Sequence, residues 1–149
     1  MTLSISLLFA TMIIKMSDLG KYHAAEHMTD LSFEYNGSIE LIDVAKHSRV
    51  HSKCGTNIVV FVFLFNLLFS FFDMNIYISI ALSFSLAYEV FQIPSKYLKP
   101  FLGIGAIIQF VLFTSKPSSV HLKVAKASYE ALIREEENYR NVKQNNPTD

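Results

Sequence analysis

The stretch Tyr22-His23-Ala24-Ala25-Glu26-His27 holds two of the chain's five histidines, four residues apart, with a glutamate beside the second. On a helix this spacing stacks His23 and His27 one turn apart on one face, with Glu26 next to them. A second stretch, KHSRVHSKCGT over residues 46–56, sets His47, His51 and the only cysteine, Cys54, at i, i+4 and i+7. Four of the five histidines and the sole thiol therefore fall between positions 23 and 54. A mixed imidazole and thiolate set suits zinc or another borderline-soft transition metal and does not suit magnesium or calcium.

The order His-x-x-Glu-His is also the zinc signature of the inverzincin peptidases, where both histidines bind metal and the glutamate acts as base. The expected ligands are His23, His27, His51 and Cys54, the expected metal is zinc, and Glu26 is the expected general base. These four already fill a tetrahedral site, so His47 is not required. Glu34 is the outside candidate from the flanking acids, and Asn36-Gly37 between Glu34 and Glu40 reads as a type I′ hairpin turn. Glu89 is the single charge in a long apolar run, either functional or reaching out to a polar boundary.

These groups need elements to hold them. In the 149 residues the formal charge is zero, which removes the basic footprint expected of a nucleic-acid binder. One cysteine excludes an intrachain disulfide. Apolar residues make up 51% and charged residues 17%, and the apolar ones are concentrated in blocks. Ile58 to Phe72 has no charge, and after Asp73-Met74-Asn75 a second block runs from Ile76 to Ile93. A helix crossing a bilayer needs about 20 such residues. The blocks therefore predict an all-α integral membrane protein, with a transmembrane helical hairpin turning at Asp73–Asn75, a cytoplasmic His/Cys metal-site loop and a C-terminal amphipathic helix. Lysines and arginines in the region before Cys54, at Lys96 and Lys99 and in the tail place all three on the cytoplasmic side of a multi-pass cell-membrane protein.

The resulting division is a short N-terminal anchor or interfacial helix over 1–20 and a metal-site region over 21–56. The hairpin occupies 57–93, a re-entrant or interfacial segment 94–116, the last helix 117–140 and a disordered tail 141–149. Ser118 or Ser119 caps the last helix after Pro117, and Val120, Val124, Ala127 and Ala131 form its apolar stripe. The expected partners are the lipid bilayer and an unidentified substrate or protein, with self-association open and nucleic acid excluded.

The motifs together resemble one family. YHAAEH, then HSRVHSKCGT, then a Phe-rich hairpin ending AYE, then TSKP before VAKASYEAL, are similar to the YqhQ-like bacterial membrane proteins. The similarity covers residues 22–132 and implies a metal-dependent enzyme of unknown reaction. It carries His23, Glu26, His27, His51, Cys54, Gly55 and Thr56 onto the site. Ala24 stands where the family pattern has glycine, Ser52-Lys53 where it has Pro-Arg, and Thr114–Pro117 is a shortened form of its late motif. Two functions follow from the residues: a zinc-dependent hydrolase acting at the membrane face, or a non-catalytic metal-stabilised adaptor or metal-handling protein. Three protein ligands plus water mark the first, and four mark the second.

Overall fold

The structure, a computed structural model, describes residues 11–145, and every regular element among them is helical. It divides into two compact units. The first joins Met1–Arg49 to Thr114–Asp149, and the second is Val50–Phe113.

In the first unit residues 11–16 are helical and lead into α1, Asp18–Asn36. Ser17 caps α1 in extended backbone, its hydroxyl accepting the Leu19 amide at 3.3 Å, and Asp18 places negative charge in the first turn. Gly37 ends the helix at φ 62°, its N–H donating to the Phe33 carbonyl at 2.9 Å. Asn36-Gly37 is thus a left-handed helix cap and not a β-hairpin turn; the same two residues serve either geometry because both need positive φ. The short α2, Leu41–Val44, follows, with Val44 fully buried.

The long α3, Ser119–Asn145, packs along α1 and touches α2. Its packed face is His121, Ala125 and the half-buried Tyr129, not the stripe of Val120 and Val124, which are 60% and 46% exposed. The buried residues of α1 include the small Gly20, Ala24, Ala25 and Ser32. Tyr22 lies against the His121 ring at 4.6 Å and Phe33 against Tyr129 at 6.2 Å. Ser115 ties the helix entrance to α1, its N–H donating to the Gly20 carbonyl at 2.9 Å.

The second unit begins with the loop 50–55 and continues as α4, Thr56–Phe69, a 3-10 turn at Ser70–Phe72, and α5, Ile76–Phe91. Asp73 turns the chain at φ 49°, and the Asn75 side chain caps α5 by accepting the Tyr77 amide at 3.0 Å. Ser79, Ser83 and Ala87 recur every fourth residue on α5, and their small size lets α4 approach closely. A 3-10 turn at Ser95–Tyr97, α6 at Lys99–Ile108 and a π-helical turn at Gln109–Phe113 complete the unit around Phe61, Ala87 and Leu98.

The helical hairpin is present, but the integral-membrane fold is not supported. Among the described residues no helix is long and apolar enough to cross a membrane. The 14 residues of α4 and 16 of α5 span about 21 and 24 Å at 1.5 Å per residue, short of a hydrocarbon core of about 30 Å. The longer α1 and α3 are too rich in charge. This overturns the expected multi-pass localisation, and with it the positive-inside assignment of a cytoplasmic face. The discrepancy arises because an apolar block is not a helix length: the first block ends in a 3-10 turn, and the second loses its helix at Phe91. The expected re-entrant segment is built from the 3-10 turn, α6 and the π turn. Residues 1–10 of the expected anchor and 146–149 of the expected tail lie outside the described residues.

Candidate metal-ligating residues

The four expected ligands divide two and two between the units. In the first, α1 brings His23 and His27 together, ring centroids 4.3 Å apart in an edge-on arrangement. His27 is buried, and its Nδ1 meets the Arg49 carbonyl at 2.8 Å. A carbonyl only accepts, so the neutral ring carries its proton on Nδ1 and presents Nε2 as a lone pair, the state in which imidazole ligates metal. Glu26 is exposed on the same helix.

The other candidates of this unit have different occupations. His47 lies parallel to the Tyr35 ring at 6.2 Å, and its Nε2 is 2.9 Å from the Asn36 amide. The fifth histidine, His121, caps α3: its Nδ1 accepts the Ser118 amide at 3.3 Å and the Ser118 hydroxyl at 2.7 Å. Glu34 is exposed and, with Asp30 and Glu26, adds negative charge around Tyr129. Burial first, and then the hydrogen bond to Asp30 with these carboxylates, pushes the Tyr129 phenol well above its ordinary range. An acid whose pKa is raised by folding leaves stability intact below its unfolded value, about 10, and loses it as pH climbs beyond. Tyr129→Phe is expected to flatten the loss of stability above pH 10, read as the denaturation midpoint against pH.

In the second unit a polar scaffold fixes the loop that carries His51 and Cys54. Gln109, fully buried in the π turn, spans the His51 backbone: its Oε1 accepts the His51 N–H at 3.0 Å and its Nε2 donates to the His51 carbonyl at 3.1 Å. A side-chain amide thereby completes the pairing that a strand neighbour would otherwise supply. Asn57 donates to the Ser52 carbonyl at 2.8 Å. A Cβ on Gly105 would stand 1.8 Å from Asn57 Oδ1, so glycine is what admits this amide. Gly105→Ala is expected to cost about 1–3 kcal/mol as overpacking, measured by denaturant unfolding.

His51 Nδ1 accepts the Lys53 amide at 3.1 Å, which leaves the proton of the neutral ring on Nε2. In this tautomer neither nitrogen has a lone pair to give a metal. Cys54 is half-buried with Sγ 3.3 Å from the Thr56 hydroxyl, a contact in which either atom can donate. Glu89 is exposed on α5. Gln109 and Asn57 are scaffold residues that the sequence expectation does not include. Their signal was a carboxamide in apolar surroundings, where a buried polar group requires partners, and π turns recur at functional sites.

The family described as Protein of unknown function (DUF1385) matches residues 1–135. The chain belongs to this family. Its match takes in both units and all five candidate residues, His23, Glu26, His27, His51 and Cys54. No curated protein and no solved structure matches this DUF1385 chain.

Proposed function

We propose that the chain is a zinc-dependent hydrolase in which His23, His27 and Cys54 hold the metal and Glu26 is the general base. The observation that carries the reading is the 2.8 Å bond anchoring His27 Nδ1 on the Arg49 carbonyl. Ligating histidines characteristically fix their second nitrogen this way, which sets tautomer and ring direction. Arg49 precedes Cys54 by five residues, so the chain tethers the cysteine within about 17 Å of that anchoring carbonyl. The resemblance to YqhQ-like proteins, a family of predicted metal-dependent enzymes, adds to the support.

Each of the three side chains offers one donor atom of the kind zinc takes. Three protein donors, and not four, would hold the metal, the number that goes with catalytic zinc. Zinc so bound supplies a Lewis acid and acidifies water to a pKa of about 7. Glu26, exposed on α1, would take the proton of the attacking water and hand it to the leaving group as the scissile bond breaks. His51, with its proton on Nε2, stands outside the ligand set in this reading.

The non-catalytic reading retains one observation in its favour. Glu26 already acts with Asp30 and Glu34 on the Tyr129 phenol, a structural role that needs no reaction. Elemental analysis after zinc loading separates the possibilities. About one zinc per chain is expected, lost in His23→Ala, His27→Ala and Cys54→Ser and kept in His51→Gln. Absence of zinc from the unmutated chain overturns the proposal. Loss in His51→Gln points to a closed four-ligand site and to the metal-stabilised adaptor.

A further inference from the structure

The second unit contains an open cavity of about 310 Å³ bordered by α4, α5 and the start of α6. Phe61 and Leu98, 4% and 8% exposed, form its floor, and Leu64, Phe65 and Val90 its walls. Leu68 and Phe101, about half exposed, stand at the rim. Ligand pockets usually combine apolar walls with a few polar groups that orient the ligand. These seven side chains contain no hydrogen-bonding atom, so any polar group placed among them would be left unsatisfied. The cavity selects a hydrocarbon chain.

Charge supplies the other half of the specificity. Leu98 lies between Lys96 and Lys99, both exposed, and the Lys96 ammonium sits 4.8 Å from the centre of the Tyr97 ring. Lys99 opens α6, whose N-terminal dipole also favours negative charge. No acidic residue occurs anywhere from Val90 to Phe113. An amphiphile with its chain in the cavity thus meets two lysines beside the floor residue Leu98, with Glu89, one residue before the wall residue Val90, the nearest acid in sequence.

We propose that this cavity seats the hydrocarbon chain of a single-chain anionic amphiphile, with its carboxylate beside Lys96 and Lys99. The site is independent of the metal reading, because every residue it uses lies in the second unit and none is a proposed ligand. Calorimetric titration with dodecanoate, kept below micelle formation, tests it on the full chain. One saturable site is expected, with neutral dodecanol bound more weakly. Val90→Trp is expected to weaken dodecanoate at least about tenfold, as when roughly two methylenes lose their apolar seat. The double substitution Lys96→Gln with Lys99→Gln should bring dodecanoate down to the dodecanol level and remove its salt dependence.

Circular dichroism checks the helix content of each variant. Should Val90→Trp lose helix, Leu68→Gln at the half-exposed rim replaces it, with a several-fold loss expected. Absence of saturable binding, or wild-type affinity in the folded cavity variant, overturns the proposal; equal binding of dodecanoate and dodecanol overturns its anionic part. Zinc content measured on the same samples keeps the two proposals apart. A chain that binds dodecanoate but no zinc retires only the metal site.

Discussion

Glu26→Gln is expected to keep its zinc and lose its function. Glutamine preserves the size of the side chain and most of its hydrogen bonding but cannot accept a proton at working pH. Because Glu26 is exposed on α1, the substitution should change stability by no more than about 0.5 kcal/mol. General base catalysis is typically worth about 10²–10⁴ in rate, so its removal reads as failure to complement a deletion strain. Zinc content measured alongside should remain at about one per chain. If Glu26 serves only to orient a ligand, the same variant instead weakens zinc by about 10–100-fold. A fully metallated Glu26→Gln chain that complements as wild type would remove the carboxylate from catalysis.

Gln109→Leu carries the largest expected effect on stability. Leucine fits the apolar surroundings of the π turn but removes the Oε1 that accepts the His51 N–H, while the His51 carbonyl keeps the Cys54 N–H at 3.3 Å and the Asn57 Nδ2 at 3.4 Å. A buried donor robbed of its acceptor costs about 1–3 kcal/mol and the second lost bond about 0.5–1.5 kcal/mol, so a loss of roughly 1.5–4.5 kcal/mol is expected in chemical denaturation. The loop carrying Cys54 is loosened at the same time, because Gln109 is one of two side-chain amides that hold residues 51 and 52, the other being Asn57. Faster alkylation of Cys54 by an uncharged maleimide, under conditions where the chain is still folded, should accompany the lost stability. Unchanged thiol reactivity in a destabilised but folded Gln109→Leu chain would limit Gln109 to packing.

The sequence by itself determined the helical character of the chain and the grouping of its chemistry. His23 and His27 had to share a helix face because their spacing is one turn, and the cap at Ser118 lies where Ser favours a helix start, whereas Gly37, read as a hairpin turn, ends a helix. Helix existence is local physics, set by propensity and periodicity within a few turns. What each polar group pairs with is not local. Gln109 and His51 are 58 residues apart, and only tertiary packing decides that one amide completes the backbone of the other. The same limit applied to the histidines. Sequence grouped His47 with His51 by spacing, whereas folding put His47 on Tyr35 and Asn36 and gave His51 a backbone amide at Nδ1. Tertiary structure also fixed helix length, because a chain stays helical only until a turn or a packing partner ends it. Two apolar blocks that read as membrane spans thus became α4 and α5, both too short to cross.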